Sequence, residues 1–246
     1  MGETAIIIPA RYASKRLEGK PLMKVCDKPI IQWVWERARQ VKSADRVIIA
    51  TDNNKIYECA HSFGADVEMT SEEHKCGSDR IVEVAEKHPE FSYIINLQGD
   101  EPMINVDCVE EVIRLIKEDN RADISTLLTE MKNEDVENPN TVKCVFDVNG
   151  YALYFSRSKI PYERNRGIAK FYKHIGIYGY KRESLFKMTK LEQSEIELTE
   201  SLEQLRALYN GMRIKTSVVE YNSIGIDTIE DFNAFKKLAE GDYIQQ

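Results

Sequence analysis

The sequence holds five cysteines, Cys26, Cys59, Cys76, Cys108 and Cys144, an odd number with no C-x-x-C pair. Their scatter argues against a disulfide framework or a thiolate zinc site, and for reduced thiols in a cytoplasmic protein. Cys76 then reads as a small loop or core residue. No apolar run approaches the roughly 20 residues that span a bilayer. The first residues carry no basic stretch followed by an apolar one, so no export signal is expected. Positive charge is in deficit: 34 Lys and Arg against 41 Asp and Glu give a net charge of −7. That balance speaks against non-specific nucleic-acid binding, and neither nucleic acid nor membrane is expected as a partner. The first strand is followed by neither a Walker A loop nor a G-x-G-x-x-G fingerprint, which counts against a dinucleotide-dependent oxidoreductase. There is no internal repeat and no low-complexity segment.

What is present is a chain of 246 residues with 42% hydrophobic content, long enough to bury a substantial core. Ala5-Ile6-Ile7-Ile8 is a continuous apolar run, the pattern of a strand covered on both faces. It breaks at Pro9 into a loop holding Arg11, Lys15, Arg16, Gly19 and Lys20. Cations just past a buried strand make an anion site, because open α/β sheets bind ligands at their carboxyl ends.

Strand and helix patterns then alternate. Pro29 opens a helix over Ile30–Val41, in which Trp33 and Trp35 read as packing residues. Arg46–Asp52 is a strand, 54–63 a helix stopped by Gly64, and Val67–Thr70 a strand. Gly77, Ser78, Asp79 and Arg80 precede a helix over Ile81–His88. They read either as an N-cap or as a donor set for a base or phosphate. His74 and His88 read as surface residues. Tyr93–Leu97 is a strand running into Gln98-Gly99-Asp100-Glu101-Pro102. Asp100 sits where a carboxylate would hold Mg²⁺ together with substrate phosphates.

Val106–Lys117 reads as a helix and Ala122–Thr129 as a strand. Two further strands flank Asn149-Gly150, a hairpin signal that turns the sheet mixed. Arg157 closes the second of them and can fork onto a carboxylate. Ile160–Lys173 is basic and irregular, with Arg164 and Arg166, and reads as a mobile loop. His174–Tyr180 is a strand whose Gly176 and Gly179 leave room beside the backbone; a lone His174 is usually structural. Ser194–Asn210 reads as one long helix with Leu198, Leu202, Leu205 and Tyr209 buried, and Glu203 and Gln204 off that stripe. Asp227 is either an N-cap for the last helix or a second metal carboxylate. The expected fold class is α/β. A single domain over 1–246 would carry a mixed, mostly parallel sheet with helices on both faces, and a hairpin and loop inserted around 142–180.

Several blocks, in order along nearly the whole chain, resemble the 3-deoxy-manno-octulosonate cytidylyltransferases, or CMP-Kdo synthetases. They are 8–14, 19–22, 50–52, Gly77-Ser78-Asp79-Arg80, Gln98-Gly99-Asp100-Glu101-Pro102, 150–157, 174–180, 202–206 and Gly225-Ile226-Asp227-Thr228. Tyr151–Arg157 and Leu202–Arg206 are the most specific. Glu18 stands where that family often has proline, and Lys15 where it often has a small hydroxyl residue. Ser223-Ile224-Gly225 replaces a more glycine-rich turn.

The resemblance implies a nucleotide-diphospho-sugar transferase type of fold, a homodimer, and transfer of CMP from CTP to the acidic 3-deoxy-2-keto sugar Kdo with Mg²⁺, for lipopolysaccharide assembly. It implies a triphosphate held by Arg11, Arg16 and Lys20, and nucleotide contacts from Ala10, Ser14, Gly77, Ser78 and Arg80. Asp100 and Asp227 would hold the metal. Gln98, Arg157, Arg164, His174, Tyr178, Glu203 and Gln204 would bind the sugar, with its carboxylate on Arg157. The alternatives are 8-amino-Kdo or a sialic-acid-like nonulosonate as acceptor, or a non-catalytic CTP sensor.

Overall fold

The computed structural model describes residues 2–13, 17–74, 76–131, 135–165, 167–221 and 225–244. The elements, in chain order, are β1 (Glu3–Ala10), β2 (Lys24–Val25), β3 (Lys28–Pro29), α1 (Ile30–Ala38), β4 (Arg46–Thr51), α2 (Asn54–Ser62), β5 (Asp66–Met69), α3 (Gly77–Lys87) and β6 (Phe91–Asn96). They continue with α4 (Val106–Glu118), β7 (Ile124–Glu130), β8 (Lys143–Phe146), β9 (Ala152–Ser156), β10 (Tyr172–Lys181), α5 (Arg182–Lys190), α6 (Glu195–Glu200), α7 (Gln204–Tyr209), β11 (Ile214–Val218) and α8 (Ile229–Ile244). Two compact units result: Met1–Glu110 with Asn222–Gln246, and Glu111–Tyr221.

In the first unit the strands run β6-β1-β4-β5, all parallel. Ile6 pairs with Val47 on one side and Ile95 on the other. Ala5, Ile6, Ile7 and Ile8 are fully buried, as the unbroken apolar run requires of a strand covered on both faces. Trp35 is buried, and Trp33 meets the Phe235 ring of α8 edge-on at 5.6 Å; both tryptophans pack. Asn53 caps α2 by accepting the N–H of Lys55, and Gly64 follows the helix with φ +80°.

Two expectations need correction here. Gly77, Ser78, Asp79 and Arg80 are the first turn of α3 rather than a loop before it, and Cys76 is the N-cap. His74 and His88 are half-buried, not surface residues. His74 pairs with Glu83 at 2.6 Å, and His88 lies between Glu68 and Glu90. The Phe91 ring stacks on His88.

In the second unit, β11 runs parallel to β7 and β7 antiparallel to β10. The expected hairpin is β8 and β9, which pairs with β10 through Lys143 and Lys173. Asp147 Oδ1 accepts the N–H groups of Asn149 and Tyr151 across its turn, and Gly150 takes φ +77°. The basic segment expected to be irregular through Lys173 already enters β10 at Tyr172.

The long helix expected over Ser194–Asn210 is broken. Ser201, with φ +52°, ends α6, and α7 starts at Gln204. Leu198 and Tyr209, expected in the buried stripe, are 60% and 66% exposed. A buried ion pair replaces them: Arg206 Nε and Nη2 donate to Glu197 Oε2 and Oε1 at 2.9 and 2.6 Å. Such a two-point fork fixes the angle between the two short helices.

Candidate active site

A cavity of about 710 Å³ opens at the carboxyl ends of β1 and β6. Ala10, Arg11, Lys20, Gly77, Arg80, Gln98, Asp100 and Asp227 all line it, so eight residues proposed from sequence gather in one place. Ser78 lies just behind, buried in the first turn of α3. Ser14, Lys15 and Arg16 lie outside the described residues, as does Arg166. Sequence reasoning did not propose the remaining wall, formed by Pro9, Ala13, Glu18, Pro21, His74, Cys76 and Gly99. Their signal was only their nearness to the basic loop and to the start of α3.

The backbone explains the placement. Gly19 takes φ +68° and its N–H donates to Tyr12 O at 2.9 Å, which pinches the basic loop at its base. Pro21 then opens a 3-10 turn, Lys20–Leu22. Gly99 lies so close to β1 that a Cβ there would stand 2.9 Å from Pro9 O; only glycine lets this loop reach the cavity. Ile226 N donates to Asp100 O at 2.8 Å, which brings the segment carrying Asp227 beside Asp100.

Lys20 sits among these acids. Its ammonium donates to Asp100 Oδ2 at 2.7 Å and Ile226 O at 2.6 Å, and lies 3.6 Å from Asp227 Oδ1. Two carboxylates from distant parts of the sequence therefore share one cation. Oxygen donors of this kind suit Mg²⁺, which takes one or two carboxylates and completes its shell with phosphate and water. Among the described residues no group of three or more His, Cys, Asp or Glu side chains gathers to hold a metal alone. The pair thus fits a metal that arrives with a phosphorylated substrate.

Arg80 is buried, and its guanidinium donates to Asp52 Oδ2 at 2.5 Å and to Thr70 Oγ1. It forms a fixed wall beside the first turn of α3, and the positive end of a helix dipole favours an anion. Burial pushes the neighbouring Glu83 up, but the Ser71 N–H, the His74 ring and Lys87 outweigh it and hold Glu83 at about 2. Glu83 is therefore the fixed anion that orients His74 in the cavity wall.

The second unit carries the other sugar candidates. His174 lies between the rings of Phe155 (5.0 Å) and Tyr178 (5.3 Å). Burial, with Lys173 adding to it, lowers His174 to about 3, so its ring is neutral. Burial, reinforced by the charge of Glu203, raises the Tyr178 phenol. Gln204 is buried at the start of α7, and Arg164 is exposed. Arg157 is engaged: its Nε donates to Glu200 O at 2.7 Å and its Nη1 to Pro139 O at 3.1 Å. The Glu200 carboxylate accepts the Arg157 N–H at 2.8 Å and the Ser156 hydroxyl at 2.5 Å. Beneath it, the buried Lys143 ammonium is held by the carbonyls of Asn138 (3.0 Å), Thr141 (2.7 Å) and Arg157.

A cytidylyltransferase family model matches residues 5–214. The chain is 48% identical to the 3-deoxy-manno-octulosonate cytidylyltransferase of Thermodesulfovibrio yellowstonii, covering 95% of this chain and 97% of that one. It is 46% identical to the protein of the same name from Fusobacterium nucleatum, over 92% of each chain. Among solved structures it is similar to a CMP:2-keto-3-deoxy-manno-octonic acid synthetase complexed with CTP. The TM-score is 0.94 and the identity 41%, covering 98% of this chain and 99% of that one. That likeness bears out the mixed, mostly parallel α/β class.

Proposed function

The chain belongs to the 3-deoxy-manno-octulosonate cytidylyltransferase family, and from that premise we propose how its residues activate Kdo with CTP. The reaction is in-line nucleotidyl transfer. The anomeric 2-hydroxyl oxygen of Kdo forms a bond to the α-phosphorus of CTP, the bond to the departing pyrophosphate breaks, and the hydroxyl proton is released. There is little covalent work for the protein; it positions the reactants and neutralises charge.

Arg11, at the cavity mouth, offers its guanidinium fork to the outer phosphates. The N–H groups opening α3, at Gly77 and Ser78, face the nucleotide, and Arg80 is held rigid by Asp52 to frame it. Lys20 compensates phosphate charge once drawn from the two carboxylates. Asp100 and Asp227 would hold Mg²⁺; when bound it would offset phosphate charge and favour the alkoxide of the attacking hydroxyl. Arg157 would take the sugar carboxylate by exchanging its bonds to the Glu200 and Pro139 carbonyls, while Arg164 adds a further sugar contact and Gln98, His174, Tyr178, Glu203 and Gln204 take hydroxyls. A site built to pair hydroxyls rejects analogues that lack them.

The observation that carries the reading is the convergence of Asp100 and Asp227 on Lys20 in the cavity at the strand ends. We also place the enzyme in the cytoplasm, supplying lipopolysaccharide assembly. The free thiols among the described residues support this, and no described helix is long and apolar enough to cross a membrane. A homodimer is proposed on family resemblance alone, and light scattering tests it. The activity test is pyrophosphate release from CTP with Mg²⁺ in the presence of Kdo, 8-amino-Kdo or N-acetylneuraminate. Release with Kdo supports the reading, release preferring another sugar reassigns the second-unit residues, and CTP binding without release favours a sensor.

A further inference from the structure

A Cβ at Gly176 would meet nothing within 4 Å, so space lies beside β10 there. The register of β10 against β7 shifts between Ile175 and Tyr178. Gly176 and Ile177 are the extra residues of this bulge. Thr126 of β7 is fully buried and directs its hydroxyl there. Its Oγ1 lies 2.7 Å from Ile177 O, 3.1 Å from Ile175 O and 3.0 Å from His174 Nε2.

A hydroxyl has one proton to give and two lone pairs to accept with, whereas a carbonyl can only accept. If the Thr126 proton went to the ring nitrogen, neither carbonyl would be served and one hydrogen bond would form. If it goes to a carbonyl, the oxygen is left as an acceptor and the ring can donate to it, so two bonds form. Buried polar groups left unpaired are costly, which selects the second arrangement. Among the described residues the His174 ring makes no other hydrogen bond.

We infer that Thr126 is a positioning residue: it holds His174 as the Nε2–H tautomer and so leaves Nδ1 as the hydrogen-bond acceptor for one hydroxyl of the sugar. The inference rests on the reading of His174 as a sugar ligand. It predicts that the enzyme demands a hydrogen-bond donor at one sugar position, where a methyl ether or deoxy analogue fails. The flanking Phe155 and Tyr178 rings limit rotation of the imidazole, so the tautomer also fixes the direction of acceptance.

The test reads the tautomer directly. The protein has four histidines, so long-range ¹H–¹⁵N spectra of labelled enzyme resolve each ring, and His174 is assigned by its loss in His174→Gln. The expected wild-type spectrum shows a protonated Nε2 and a bare Nδ1. Thr126→Val should remove the tautomer preference and raise KM for Kdo about tenfold, with KM for CTP unchanged. Thr126→Ser, which keeps the hydroxyl, should restore both. A wild-type ring protonated on Nδ1 overturns the inference, and so does a tautomer unmoved in Thr126→Val. A shifted tautomer with an unchanged Kdo requirement overturns the acceptor role and locates the error in the reading of His174. If the valine variant does not fold, the wild-type and serine spectra still decide the tautomer.

Discussion

Lys20 and Asp100 hold one another at 2.7 Å, although the sequence reading assigned one to the triphosphate and the other to the metal. On the proposed assignment the pair would couple the two ligands. A metal that takes the carboxylate frees the ammonium for phosphate, so each ligand should bind better when the other is present.

Replacing Asp100 with Asn removes one metal carboxylate and one partner of Lys20. Turnover should fall about 10²- to 10³-fold, measured as pyrophosphate release at saturating Mg²⁺. Unchanged turnover under that condition would remove Asp100 from the mechanism. CTP binding should also lose its dependence on Mg²⁺ concentration.

Gly99→Ala should cost about 1–3 kcal/mol, because the new Cβ would press on Pro9 O at 2.9 Å. The midpoint of urea unfolding measures this. A variant as stable as the parent would show that the loop shifts freely away from β1.

Lys143→Met should be destabilising by about 3 kcal/mol, since it strips three carbonyl oxygens of one buried ammonium. One of those carbonyls belongs to Arg157. KM for Kdo should therefore rise in the folded variant while KM for CTP stays constant. A loss of stability with both constants unchanged would confine Lys143 to the scaffold.

Two histidines should shift stability with pH in opposite directions. Burial alone would lower His88, but its hydrogen bonds to the Glu68 and Glu90 carboxylates outweigh it and the net shift is upward from 6.5. Its contribution should be complete below about pH 6.5 and fade as pH rises through the folded value. His174 is lowered to about 3. Its contribution should be complete above about pH 6.5 and fade as pH falls toward 3. Melting temperatures of His88→Gln and His174→Gln against the parent across pH check both. The His88 gap should close on the alkaline side, and the His174 variant should gain on the parent in acid. Parallel curves for either variant would refute its assignment.

The parallel sheet was legible because its information is local: Ala5–Ile8 is apolar without interruption, and only a strand covered on both faces uses such a run. Asp100 and Asp227 could be picked out by position, one past a strand and one before a helix, although their meeting at Lys20 is a tertiary fact. What was not legible depended on partners far along the chain. Nothing in the spacing of Glu197 and Arg206 announces that they pair in a buried ion pair and leave Leu198 and Tyr209 exposed. The leucine spacing continued through Ser201, and no spacing rule registers a single left-handed residue. His88 looked solitary because Glu68 belongs to another strand. Arg80 looked available to a ligand because nothing in its neighbourhood announces Asp52.

The hydrogen bond from Lys20 to Ile226 O joins residues 206 positions apart, and it bears on when the enzyme comes into being during synthesis. Lys20 and Asp100 leave the ribosome early, but Asp227 emerges only after the whole intervening unit has been made. A nascent chain can form its parallel strands and still lack the carboxylate pair proposed to hold Mg²⁺. On the proposed metal assignment, a chain terminated before Asp227 should release no pyrophosphate, whatever it retains of the cavity at the strand ends.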